Sequence, residues 1–123
     1  MKLRALVGDR ADIVGPETTI VDVATLMFER DVAGVAVVDR TGLIGICTDR
    51  DVARGLADGC DDEVPVSDIM TESPDVVGPE IEVDDAARWM LETGYRHLPV
   101  VDDGELLGIV DIRDVLWALV SGD

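Results

Sequence analysis

The chain has 123 residues, 47% of them apolar and 3% aromatic, and a formal net charge of -17. That length suits one ordinary domain or two very small ones. The acidity argues against nucleic acid and against anionic membrane surfaces as partners, since both need a basic patch.

Taken in chain order, Met1 to Ala11 mixes charges with short apolar runs and does not read as a signal peptide. No apolar stretch is long enough to cross a bilayer, so a cytoplasmic protein without a membrane partner is expected. Ile13-Val14 reads as a short strand that stops at Gly15-Pro16. Ile20, Val23, Ala24, Met27 and Phe28 fall at helical spacing, with Thr18 or Thr19 as the cap. Val35 to Val38 and Leu43 to Cys47 read as a hairpin around Asp39-Arg40-Thr41-Gly42. A second helix runs from Asp49 to Leu56, and the Asp-, Gly- and Pro-rich stretch Ala57 to Val66 is a linker.

The same order then recurs. A shift of 63 residues carries Gly15-Pro16-Glu17 onto Gly78-Pro79-Glu80, and Arg50-Asp51-Val52 onto Arg113-Asp114-Val115. Without a gap, 16 of the 38 positions from Gly15 to Val52 are identical in the second copy, which marks a duplication. The second copy contributes a short strand at Val76-Val77. Its first helix has Val83, Ala86, Ala87, Met90 and Leu91 on one face. A hairpin of Leu98 to Val101 with Leu106 to Val110 follows, then a last helix from Ile112 to Val120. Each copy is a β-α-β-β-α unit, assigned here to residues 1–60 and 61–123. One unit alone has too little core for stability. The expected fold is α/β (α+β): two repeats packed sheet to sheet about a pseudo-two-fold axis.

Two segments carry chemistry. Thr48-Asp49-Arg50-Asp51 and Asp111-Ile112-Arg113-Asp114 each open a helix. T-x-x-D before an apolar helix is a capping-box pattern, in which Thr48 would accept from first-turn N–H groups. A helix start with free N–H groups is also an anion site. Both readings use one geometry, and the sequence leaves them open. The cysteines, Cys47 and Cys60, do not form a C-x-x-C pair, and His97 is the only histidine, so no metal site is expected. Cys47 reads as a small core residue. There is no nucleophile constellation and no P-loop, so an enzyme is not expected.

The segments Gly45-Ile46-Cys47-Thr48-Asp49-Arg50-Asp51 and Gly108-Ile109-Val110-Asp111-Ile112-Arg113-Asp114 resemble the nucleotide signature of the cystathionine-β-synthase (CBS) domain family. Val66-Ser67-Asp68-Ile69-Met70-Thr71 resembles that family's lead-in to a second copy, and Arg96 to Asp102 its central strand. A tandem pair of such domains is often called a Bateman module. The resemblance covers nearly the whole chain. It implies a non-catalytic regulatory module that needs no cofactor. The module would bind an adenine nucleotide (AMP, ADP or ATP) in a cleft between the repeats and report to an effector protein.

On that resemblance Asp51 is the ribose acceptor and Thr48 faces ribose or phosphate. Arg50, Arg113, Arg96 and His97 are the candidate phosphate cations. The pair Arg96-His97, whose copy-one counterparts are Ala33-Gly34, would lend charge to a nucleotide held mainly by copy one. His97 also reads as an ordinary surface or hydrogen-bonded histidine, and Arg50 and Arg113 as partners of local carboxylates. Ile13, Val14, Ile69, Met70, Val76 and Val77 are candidate adenine contacts or plain core. Copy two departs from the signature at Asp111, a second carboxylate beside Asp114, which would repel phosphate.

In the last helix Ile112, Val115, Leu116 and Leu119 are expected to face inward. Trp117, Val120 and, on the earlier helix, Trp89 are left outside, which suggests a homodimer through those helices. The competing function is a dimeric interaction scaffold that binds no ligand.

Overall fold

A computed structural model describes residues 1–8 and 11–121. After a short 3-10 turn at Leu3–Ala5 come β1 (Ile13–Val14), α1 (Ile20–Arg30), β2 (Gly34–Asp39), β3 (Gly42–Thr48) and α2 (Asp49–Ala57). A second 3-10 turn at Val66–Asp68 leads into β4 (Thr71–Glu72), α3 (Val83–Thr93), β5 (His97–Asp102), β6 (Glu105–Asp111) and α4 (Ile112–Val120). The mixed α and β class expected from the repeat is therefore present, with four helices and two sheets among the described residues.

Local chemistry explains the boundaries. Thr19 caps α1, its hydroxyl accepting from the Asp22 N–H at 3.3 Å, with Asp22 itself at the positive end of the helix. The helix stops at Asp31, which turns left-handed at φ 53°. Its counterpart α3 stops at Gly94, where φ is 82° and no Cβ opposes the turn. The β2–β3 hairpin carries a bulge between Val37 and Val38, and β5–β6 carries one between Val100 and Val101, the same place after the 63-residue shift.

One sheet orders β1-β2-β3-β4; the other holds β5 and β6. The strand expected at Val76-Val77 is reduced to a single parallel bridge between Val77 and Val100. The reason is one residue. In copy one the Ala36 N–H donates to the Asp12 carbonyl at 2.9 Å and helps fix β1 beside β2. Its counterpart is Pro99, which has no N–H to give.

The chain packs as two units, and they cut across the repeat boundary between residues 60 and 61. One unit is Asp12–Pro74; the other joins the described residues of Met1–Ala11 to those of Asp75–Asp123. In the first, the Val66 N–H donates to the Thr18 carbonyl at 2.7 Å, and Val66 and Ile69 are buried with Ile20, Val23, Met27, Val35, Val37 and Cys47. In the second, the Leu3 N–H donates to the Ile81 carbonyl at 3.0 Å, and Leu3 is buried with Val83, Ala86, Met90, Leu98, Val100, Val110 and Val115. Leu3 and Val66 are equivalent under the shift of 63. Each short lead-in therefore completes a core made by the other repeat. Arg4 fastens its lead-in at the surface, with Nε 2.7 Å from Glu80 and Nη2 3.5 Å from Asp102. Such exposed pairs contribute little beside the buried leucine.

The inner faces are narrower than the periodicity suggests. Phe28 and Leu91, expected to face inward, are 88% and 82% exposed. At 3.6 residues per turn each sits about 100° round from the buried Met27 or Met90, beyond the stripe that meets the sheet. Leu116 and Leu119 are likewise exposed, because α4 buries the line of Val115 and Ala118 instead.

Candidate functional site

The start of α2 is a complete capping box. The Thr48 hydroxyl accepts from the Asp51 N–H at 3.2 Å, and Asp51 Oδ2 accepts from the Thr48 N–H at 3.0 Å. The helical turn brings Arg54 back over the carboxylate, where its guanidinium pairs with Oδ1. The Thr71 hydroxyl, delivered by β4, lies 3.5 Å from Oδ2. Asp51 is 4% exposed, the one polar or charged residue among the described residues that is buried. The capping reading of Thr48 and Asp51 is thus realised in full. Arg50 points outward, its N–H donating to Asp49 at 2.8 Å and its side chain exposed.

The start of α4 repeats the box with different chemistry. Asp111 accepts from the Asp114 N–H at 2.9 Å, and Asp114 accepts from the Asp111 N–H at 3.1 Å. Here the shift of 63 replaces Arg54 by Trp117 and Thr71 by Gly8, so neither the cation nor the hydroxyl recurs. Burial pushes the Asp114 carboxyl above its ordinary range; the hydrogen bond from the Asp111 N–H opposes that shift, the neighbouring Asp111 carboxylate adds to it, and Arg113 pulls weakly the other way. A raised carboxyl pKa in the fold means that the folded state binds the proton more tightly. The corresponding stability is present below the ordinary carboxylate pKa and is lost as pH rises through the folded value. Asp114→Asn, which keeps an acceptor for the Asp111 N–H, should therefore raise the thermal midpoint at neutral pH. The gain should shrink as pH falls through the carboxylate range. Melting curves across pH check both.

The other site residues proposed from sequence fall beside this second helix start. The Arg96 carbonyl accepts from the Ile112 N–H at 2.8 Å, and His97 stands opposite Asp111 in the β5–β6 register. In the first unit the same places are Ala33, whose carbonyl takes the Asp49 N–H at 2.9 Å, and Gly34, opposite Thr48. Thr48, Arg50 and Asp51 thus belong to one unit, and Arg96, His97, Asp111, Arg113 and Asp114 to the other. Of the adenine candidates, Ile69 and Val77 are buried, Val14 and Met70 half-buried, and Ile13 and Val76 exposed. Cys47 lies in the core, where burial and the nearby Asp51 push its thiol up to about 12, which makes it a poor nucleophile.

Two partners of Asp51 were absent from the sequence reading. Arg54 had a visible signal, since it lies three residues from Asp51 on one helix. Thr71 had none, because its approach depends on the exchanged lead-in. Trp89 is also less free than expected: it is half-buried against its own core and meets Tyr95 edge to face, with ring centroids 6.4 Å apart. Trp117 remains 63% exposed, beside Leu116, Leu119 and Val120 on α4. Among the described residues no helix is long and apolar enough to cross a membrane.

A family model described as the CBS domain matches the chain twice, at residues 6–58 and 66–121. The CBS domain-containing protein YhcV of Bacillus subtilis is 38% identical over 111 residues, which are 89% of this chain and 79% of that protein. Among solved structures, CBSX2 of Arabidopsis thaliana in complex with AMP superposes with a TM-score of 0.81 at 34% identity, over 98% of this chain and 96% of the other. PAE2072 of Pyrobaculum aerophilum, a CBS domain protein complexed with AMP, gives a TM-score of 0.86 at 26% identity, over 99% and 100%.

Proposed function

The chain belongs to the CBS domain family, and from that premise we propose that it is a regulatory module whose α2 start binds an adenine nucleotide. Asp51 is the ribose acceptor in this reading, and Thr48 faces ribose or phosphate. The observation that carries it is the Asp51 carboxylate: almost fully buried, yet set at a helix start between a hydroxyl and a cation. A carboxylate accepts from both hydroxyls of a ribose, and the first-turn N–H groups favour a nearby anion. The AMP held by two structural relatives supports the same ligand class. At the α4 start, Arg96 and Arg113 supply positive charge and His97 is a further candidate phosphate contact, but the Asp111–Asp114 pair opposes phosphate, so the α2 start is the preferred site.

The module has no catalytic role in this reading and reports ligand binding to an effector protein. Leu116, Trp117, Leu119 and Val120 expose an apolar strip on α4 that suits a homodimer contact. Thermal melting with AMP, ADP, ATP, S-adenosylmethionine and NADH, at low and high salt, tests the ligand. A ligand held only by the folded state raises the midpoint, by about 2.7 kcal/mol of stability at a hundredfold excess over Kd. The shift should vanish in Asp51→Ala, read against that variant's own baseline because the capping box is also lost. A shift that survives Asp51→Ala removes the site assignment. No shift with any compound favours a ligand-free dimeric scaffold, for which the prior partners of Asp51 and the acidic pair at Asp111 speak. Sedimentation of the same samples at twice the chain mass supports the dimer.

A further inference from the structure

The carboxylate assigned above to ribose already has partners on both oxygens. Oδ2 takes the Thr48 N–H at 3.0 Å and faces the Thr71 hydroxyl at 3.5 Å; Oδ1 takes the Arg54 guanidinium. Two carboxylate oxygens offer about four acceptor positions, and three of them have a donor in reach. A ribose diol presenting two hydroxyls therefore needs at least one of those donors to leave. The Thr48 N–H cannot, because the helix start fixes it; the Thr71 hydroxyl, at 3.5 Å, can turn away but frees a place only on Oδ2, the oxygen the Thr48 N–H already holds. Arg54 can: its side chain is 57% exposed, against 6% for Asp51, and it reaches back on a flexible stem. It also blocks the oxygen that carries no backbone contact.

We propose that Arg54 gates the α2 site: its guanidinium holds Asp51 Oδ1, and an adenosyl ligand displaces it to place both ribose hydroxyls on the carboxylate. The inference rests on the reading of Asp51 as the ribose acceptor. Arg54 is then a specificity-setting residue that acts through Asp51. It lowers affinity for any ligand that takes the carboxylate and offers the released guanidinium nothing in return. Adenosine is such a ligand, with the diol and without a phosphate. The α4 start has no such gate, since Trp117 stands in the equivalent position.

Calorimetric titration with adenosine, and with AMP as the companion probe, tests this on the full chain, Arg54→Ala, Arg54→Gln and Asp51→Ala. Removing the gate should tighten adenosine binding about two- to fivefold, the range of a partly exposed ion pair. Salt supplies a readout that a merely structural role would not move. Adenosine is uncharged, so salt acts on its binding chiefly through the ion pair. High salt should tighten adenosine on the unsubstituted chain and leave both Arg54 variants unchanged. Unaltered or weaker adenosine binding in the two Arg54 variants, with the salt response unchanged, overturns the gate. Binding that is lost in Asp51→Ala keeps the site standing whichever way Arg54 falls. Failure of the folded, unsubstituted chain to bind both adenosine and AMP overturns the gate, whereas the nucleotide reading falls only if ADP, ATP and the rest of the melting panel fail as well.

Discussion

Leu3→Ala should lower the unfolding free energy by about 2–5 kcal/mol, the cost of emptying a fully buried leucine site. Leu3 lies in a lead-in at the very start of the chain, where sequence position alone suggests tolerance. Its burial says otherwise. It has no exposed surface, its N–H is tied to Ile81, and it fills the core formed by Val83, Leu98, Val100 and Val110. Small domains are stable by only about 5–15 kcal/mol, so the change takes a large share of the margin. Urea unfolding reads it as a drop in midpoint with little change in slope. Leu56→Ala is the control: that side chain is half exposed on α2, and its loss should stay within about 0.5 kcal/mol. Equal midpoints for Leu3→Ala and the unsubstituted chain would remove the lead-in from the core.

What the sequence made legible, and what it hid, follows from which interactions are local. The hairpins were readable because turn residues and β-branched runs act over a few positions. The capping boxes were readable because Thr48 and Asp51, or Asp111 and Asp114, are one turn apart. The exchange of lead-ins was not. A repeat with a 63-residue period is equally consistent with Leu3 packing on its own copy or on the next, since the periodicity is the same either way. Only the packed cores distinguish them. The loss of the second copy's outer strand was legible in principle, through Pro99 in place of Ala36, but only once the bond from Ala36 to Asp12 is known. Phe28 and Leu91 misled for a different reason. Helical spacing gives the direction of a stripe but not its width, and the width is set by the sheet beneath it. Leu116 and Leu119 misled in the same way, and with Trp117 and Val120 they form the exposed apolar strip that the dimer proposal uses.

The exchanged lead-ins also account for a glycine in each signature. Gly45 and Gly108 occupy the middle of β3 and β6, where a glycine weakens a strand unless something must come close. In both units that something is the lead-in. A Cβ on Gly108 would lie 2.7 Å from Val7 Cγ1, and a Cβ on Gly45 would overlap Met70 Sδ and come within 3.0 Å of the Thr71 carbonyl. Val7 and Met70 are equivalent under the repeat, but they can yield to different degrees. Valine is β-branched and stiff about χ1, whereas methionine has three rotatable bonds and refits easily. Gly108→Ala should therefore cost about 1–3 kcal/mol, the usual penalty of overpacking, and Gly45→Ala less. Gly15→Ala sets the baseline, since a Cβ there meets nothing within 4 Å. Pairing Gly108→Ala with Val7→Ala should recover part of the loss, because the second change clears the space the first one needs. Denaturation of the four single variants and the double variant decides it. A fully additive pair would mean that the lead-in does not cross β6 at Gly108. The glycine would then owe its place to the strand itself.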